Sequence, residues 1–232
     1  MAAPVALRAR LFVLYAFNLE VARAPWVTKE PLIAEMRLQW WRDVVAEPTA
    51  RAHEVAGPLF DLIRDAGLPA DVLDRLIAAR RWDVYSDPFA DAAALDGYLE
   101  DTAAALMWLA AKACGAADRA EPAVRAYGWA AGLASFLRAV PDLTERGRLP
   151  LLDNRAKAVA ALAQQGLARI ATARAARRWV GQAAAALLAG WQTEALLKQV
   201  VADPLLVVQG QMGQSEFSRR GGLLWQAVTG RW

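Results

Sequence analysis

Apolar residues recur three and four positions apart along almost the whole chain, alanine fills many of the positions between them, and no stretch alternates β-branched and polar residues. That spacing predicts helix after helix and no sheet. The first helix is expected over Leu7–Arg23, ending near Pro25. The second has Thr28 as a cap and Glu30-Pro31 in its first turn, and runs through Arg42 to Ala46 before Pro48. A third covers Val55–Ala66 and stops at Gly67 and Pro69; a fourth covers Asp71–Tyr85 and stops at Pro88. A long fifth runs from Asp91 to Cys114 with Gly115 as its C-cap, and a sixth from Pro122 to Val140, ended or kinked by Pro141. Asn154–Trp179 and Ala183–Ala202 follow, the latter ending at Asp203-Pro204, and Ser215–Val228 forms a last piece broken by Gly221-Gly222. No heptad pattern persists and no internal repeat is visible, so the expectation is an all-α chain folded as a single large helical bundle.

Composition narrows this further. The chain has 232 residues, 56% of them hydrophobic, and no linker rich in Pro, Gly or Ser, which makes residues 1–232 one domain. The charge balance of 27 basic to 24 acidic residues is dispersed and gives +3, which argues against a nucleic-acid partner. Lysine occurs only at Lys29, Lys112, Lys157 and Lys198, so most cations are arginines. The lone Cys114 excludes an intrachain disulfide, and with the lone His53 it cannot build a zinc site; it reads as buried filler in a reducing cytoplasm. Arg8 and Arg10 precede LFVLYAF, but Asn18, Glu20 and Arg23 interrupt the apolar run, so secretion is not expected. The uncharged run Trp179–Thr193 is shorter than the roughly 20 apolar residues of a membrane span. A peripheral contact with anionic lipid near Arg219, Arg220 and Trp225 stays open.

The stretch Tyr127–Pro150, YGWAAGLASFLRAVPDLTERGRLP, carries the chemistry-bearing pattern: a helix, then Asp142, Glu145, Arg146 and Arg148 around Gly147, then Leu149-Pro150. It resembles the second aspartate-rich region of the squalene/phytoene synthase family, a Gln-Leu-Thr-Asn-Ile-Leu-Arg-Asp run followed by Glu-Asp, Gly-Arg and Leu-Pro. Leu137-Arg138, Gly147-Arg148 and Leu149-Pro150 fit in order. The family's Gln falls on Gly132, its Asn on Ser135, its first Asp on Ala139 and its Glu-Asp pair on Asp142 and Leu143. A partner motif lies at Leu14–Trp26, where Tyr15-Ala16-Phe17 match and the three acids fall on Ala22, Arg23 and Trp26. Met36–Asp43, with Trp40 and Trp41, is similar to a helix of the family's bacterial members.

The resemblance implies the isoprenoid-synthase fold, in which two facing helices offer carboxylates to Mg²⁺ ions that bridge a diphosphate. Magnesium takes hard oxygen ligands, and alanine, leucine and tryptophan offer none. Tyr15–Asn18, Leu137–Ala139 and Pro141 resemble one branch in particular, the complex I assembly factors related to phytoene synthase. The implied role is a non-catalytic assembly or chaperone-like factor with no cofactor. Its partners would be complex I subunits or assembly intermediates, and its place the cytoplasm, peripheral on the inner membrane. The alternative is a prenyl transferase, which would need Mg²⁺ and would rely on Glu20 and Asp142. A third reading is a binder of prenyl lipid or diphosphate, with Arg23, Arg37, Arg138 and Arg148 gripping the anion without metal and Tyr15, Phe17, Asn18, Trp40, Trp41 and Ser135 lining the pocket.

Overall fold

The computed structural model describes residues 3–47, 52–230 and 232. In chain order α1 is Val5–Arg23, α2 Pro31–Ala46, α3 Ala56–Ala66 and α4 Ala70–Ala79. Helices α5 (Ala92–Leu99) and α6 (Ala105–Ala113) are joined through a π turn at Glu100–Ala104. Then come α7 (Glu121–Glu145), α8 (Ala156–Ala175), α9 (Ala184–Leu187), α10 (Thr193–Ala202), α11 (Leu205–Val208) and α12 (Glu216–Thr229). Among the described residues there is no strand, as the periodicity predicts. The stop expected at Pro48 lies outside the described residues.

Helix α7 is the axis of the bundle. It packs against α6 and the π turn on one side and against α8 on another, with α10 and α11 also in contact. Tyr127, Trp129, Leu133 and Leu137 of α7 are buried together with Leu14, Phe17, Leu73, Leu76 and Trp108 from the helices around it. Close approach fixes two glycines on its inner face. A Cβ on Gly128 would stand 2.9 Å from the Ala104 backbone, and one on Gly132 would stand 2.4 Å from the Ala103 Cβ. Gly132→Ala should therefore cost about 1–3 kcal/mol, because overpacking outweighs the helix propensity gained. The measurement is thermal unfolding, with an expected fall of about 2–6 °C for a chain of this size.

Several predicted boundaries move, each for a local reason. Pro141 does not end its helix: α7 runs on to Glu145, with the Thr144 hydroxyl donating to the Val140 carbonyl at 2.8 Å and the proline ring lying against Gly210. The stop comes at Gly147, which adopts a φ of +78°, and the Arg148 N–H closes the end on the Leu143 carbonyl at 3.0 Å. The fourth helix ends at Ala79, tightens into a 3₁₀ turn at Arg80–Asp83 and does not reach Tyr85; the carbonyls of Trp82, Asp83 and Tyr85 accept from the Arg148 side chain instead of continuing a helix. The long helix expected to Trp179 ends at Ala175, and the one expected from Ala183 is cut by a 3₁₀ turn at Leu188–Gly190. There the Tyr127 hydroxyl donates to the Gly190 carbonyl at 2.9 Å, and the ring leaves no room for a side chain. Gly221-Gly222 do not break the last helix, which Ser215 caps by accepting from the Ser218 N–H at 3.3 Å.

Candidate functional site

A cavity of about 460 Å³ lies between α1 and α7. Tyr15, Asn18 and Ala22 come from one stripe of α1, with Trp26 just beyond its end. Facing them are Gly128, Gly132, Ser135, Ala139 and Leu143 of α7, at three- and four-residue steps. The π turn and its flanks close the apolar side through Leu99, Ala103, Leu106 and Met107. The positions at which the resemblance places acids thus split by helical phase: Ala22, Trp26, Ala139 and Leu143 face the cavity, while Arg23 and Asp142 are exposed and outside its wall.

The charges of the wall come from a segment that the sequence analysis did not single out. Arg80 and Asp83 pair at 3.2 Å. The Tyr98 hydroxyl accepts from Arg80 at 3.1 Å and donates to the Asp83 carboxylate at 3.2 Å. Burial pushes the Asp83 carboxyl up from the ordinary carboxylate range against the opposing pull of Arg80, and it pushes the Tyr98 hydroxyl up as well. Burial also raises Tyr15 to about 12, with Cys114 adding to it, and raises the Cys114 thiol to about 11, so neither supplies a ready nucleophile at neutral pH. The Asn18 Oδ1, Arg80 Nε and Trp82 Nε1 atoms are buried beside this end of the cavity without a hydrogen-bond partner among the described residues. A signal for this cluster exists in the sequence. Arg80 and Asp83 continue, at three- and four-residue steps, the stripe of Leu73, Leu76 and Ile77 that is wholly buried.

Arg148 is not a free anion ligand. It is 6% exposed, and its guanidinium donates to the carbonyls of Trp82 at 3.1 Å, Tyr85 at 2.7 Å and Asp83. Its plane also lies over Trp26 and Trp82, and Arg146 stacks on Trp26 at 4.9 Å. At a position where the resemblance calls for a carboxylate, this chain thus has an indole ring carrying two guanidinium groups. The four arginines expected to form an anion site are not gathered in one pocket. Arg23 and Arg138 are exposed outside the cavity wall, Arg148 is spent on backbone carbonyls, and Arg37 lines a different pocket.

That second pocket, of about 420 Å³, lies between α1 and α2 and is lined by Glu20, Ala24, Met36, Arg37, Trp40, Trp41 and His53. The single pocket expected from Tyr15, Phe17, Asn18, Trp40, Trp41 and Ser135 is therefore two. Tyr15, Asn18 and Ser135 line the central cavity; Trp40 and Trp41 line the second; Phe17 is fully buried, its ring edge-on to Trp41 at 5.3 Å. Helix geometry explains the split: Phe17, Glu20 and Ala24 lie about 140–200° round α1 from Tyr15. Glu20 and Asp142 consequently share no wall. His53 is occupied at the start of α3, its Nδ1 accepting from the Val55 N–H at 3.1 Å and the Ala56 N–H at 3.3 Å.

The donor set does not fit magnesium. The cavity wall holds a single carboxylate, Asp83, already engaged by Arg80 and Tyr98, and among the described residues no three His, Cys, Asp or Glu side chains form a metal-holding group. What the cavity can do is take up a mainly apolar group beside the hydrogen-bonding groups of Asn18, Arg80, Asp83 and Tyr98. Its volume lies within the roughly 300–1,000 Å³ of small-molecule sites.

Comparison with known proteins places this geometry. The squalene/phytoene synthase family model matches residues 1–213. The chain is similar to NADH dehydrogenase (ubiquinone) complex I, assembly factor 6, of Bos taurus, at 29% identity over 150 residues, covering 63% of this chain and 45% of that protein. It is also similar to the Drosophila melanogaster homolog of that factor, at 33% identity over 159 residues, covering 64% and 47%. The chain thus spans less than half the length of these curated relatives. Its fold matches the crystal structure of squalene synthase HpnC from Alicyclobacillus acidocaldarius with a TM-score of 0.62 at 19% identity, over 90% of this chain and 97% of that one. The helical bundle is therefore of the isoprenoid-synthase type, and with a family match over residues 1–213 the chain belongs to the squalene/phytoene synthase family.

Proposed function

We propose that this chain is a non-catalytic member of its family that acts as an assembly or chaperone-like factor for respiratory complex I, working by contact on the cytoplasmic side of the inner membrane. The observation that carries the proposal is the cavity wall itself: Ala22, Trp26, Ala139 and Leu143 face inward where diphosphate chemistry would need carboxylates. The curated relatives named as complex I assembly factors support the choice of client. No helix among the described residues is long and apolar enough to cross a membrane, which agrees with a peripheral placement.

Deleting the gene in its own organism is expected to lower the amount of assembled complex I and the membrane NADH:quinone oxidoreductase activity, with head-to-head prenyl products unchanged. Asp142→Ala should restore both, since Asp142 is exposed and outside the cavity wall. Normal complex I together with missing prenyl products in the deletion strain would reject the proposal in favour of the prenyl transferase. A second reading, a carrier of a prenyl lipid, is favoured by one feature, the apolar body of the cavity along Leu99, Ala103, Leu106 and Met107. It is compatible with the first, since a bound lipid would fill the bundle without chemistry.

A further inference from the structure

Buried polar groups are almost always hydrogen-bonded, so the groups that the wall of a cavity leaves over describe the molecule that completes it. In the central cavity the charges close on themselves. Arg80 pairs with Asp83 at 3.2 Å, and the Tyr98 hydroxyl bridges the two, so one positive and one negative charge cancel within the wall. The Thr102 hydroxyl is likewise spent, donating to the Tyr98 carbonyl. Three buried atoms on residues of this wall have no hydrogen-bond partner among the described residues: the Asn18 Oδ1, an acceptor, and the Arg80 Nε–H and Trp82 Nε1–H, both donors. The rest of the wall is mainly apolar, with Leu99, Ala103, Leu106 and Met107 on one side of it.

We propose that the cavity binds an uncharged amphiphile whose head is a hydroxyl, with its hydrocarbon body against Leu99, Ala103, Leu106 and Met107. A hydroxyl has one O–H to donate and two lone pairs to accept with, which matches the acceptor of Asn18 and the donors of Arg80 and Trp82. An ether or ketone would leave Asn18 unmet. A carboxylate or phosphate would leave it unmet as well, and would also bring a negative charge beside Asp83, where Arg80 is already neutralised. The neighbouring cations give no relief, since Arg146 and Arg148 do not line the cavity and Arg148 is held by backbone carbonyls. An amine would meet the charge of Arg80 in the same way. The inference rests on the lipid-carrier reading of this cavity and adds the head that the lipid must carry.

The test is equilibrium dialysis of the full chain against a series matched in length: dodecanol, its isomer methyl undecyl ether, dodecanoate and dodecyl phosphate. Dodecanol should bind about two- to tenfold more tightly than the ether, the worth of one net hydrogen bond. It should bind at least about tenfold more tightly than either anion. Asn18→Leu should abolish the preference for alcohol over ether while leaving ether binding within about twofold. Trp82→Phe keeps a ring against Phe89, where the indole now stacks at 4.2 Å, and should weaken alcohol and ether alike by about two- to tenfold, since both accept from the indole N–H. An anion bound as tightly as dodecanol, equal binding of alcohol and ether by the parent chain, or a preference that survives Asn18→Leu would overturn the proposal and leave the lipid-carrier reading standing. Binding of none of the four would overturn both.

Discussion

Arg148→Ala should lower the melting temperature by about 6–10 °C, a loss of about 3–5 kcal/mol. The guanidinium is buried, donates to three carbonyls of the turn after α4, and lies over Trp26 and Trp82. Truncation removes a charged donor from three acceptors that no longer have helical partners, and an unpaired buried carbonyl costs about 1–3 kcal/mol. The same segment carries Arg80 and Asp83, so the wall of the cavity should loosen with it. Arg138→Ala, at an exposed position outside the cavity wall, should shift the midpoint by no more than about 1 °C. Differential scanning calorimetry of the two variants separates a structural arginine from an exposed one; equal small shifts would show that Arg148 does not hold the turn.

The second large effect is expected at Trp41→Ala, at about 3–5 kcal/mol out of the ~5–15 kcal/mol by which domains are stable. Trp41 is 3% exposed and packs edge-on to Phe17 at 5.3 Å and to His53 at 5.6 Å. His53 in turn accepts the first N–H groups of α3, so the cavity left by the indole should also weaken that helix start. Chemical denaturation should show the loss directly. In the deletion strain Trp41→Ala should fail to restore complex I where Asp142→Ala succeeds, because a factor that works by contact needs its shape and not that carboxylate. Rescue by both variants would separate the cellular role from the folded state of this chain.

The all-α architecture was legible because the three-and-four spacing of apolar residues is a direct trace of helix geometry. The facing of Ala22 and Trp26 toward Ala139 and Leu143 was also within reach, since the resemblance assigns the positions and helical phase turns them inward. Tertiary contacts decided the rest. Pro141 reads as a stop, yet its neighbours hold α7 together through the Thr144 hydroxyl, and the true end is the left-handed Gly147 a turn and a half later. The fate of Arg148 depends on a turn more than sixty residues earlier in the chain, which no local pattern connects to it. Phe17 sits two residues from Tyr15 and was expected in the same pocket, but the same helical geometry that fixes the cavity puts it on the opposite side. For α12 the sequence shows which face is apolar, and only the contact of Gly222 and Gln226 with Trp191 shows that this face points outward.

The central claim is that this chain keeps the isoprenoid-synthase bundle and its cavity without the metal chemistry. The most direct measurement is pyrophosphate release from farnesyl or geranylgeranyl diphosphate by the purified chain with Mg²⁺ or Mn²⁺. The account predicts no release above the protein-free background, because Ala22, Trp26, Ala139 and Leu143 give the cavity nothing to hold the metal and Asp83 is bound to Arg80 and Tyr98. Metal-dependent release that disappears in Asp142→Ala or Glu20→Ala would contradict it.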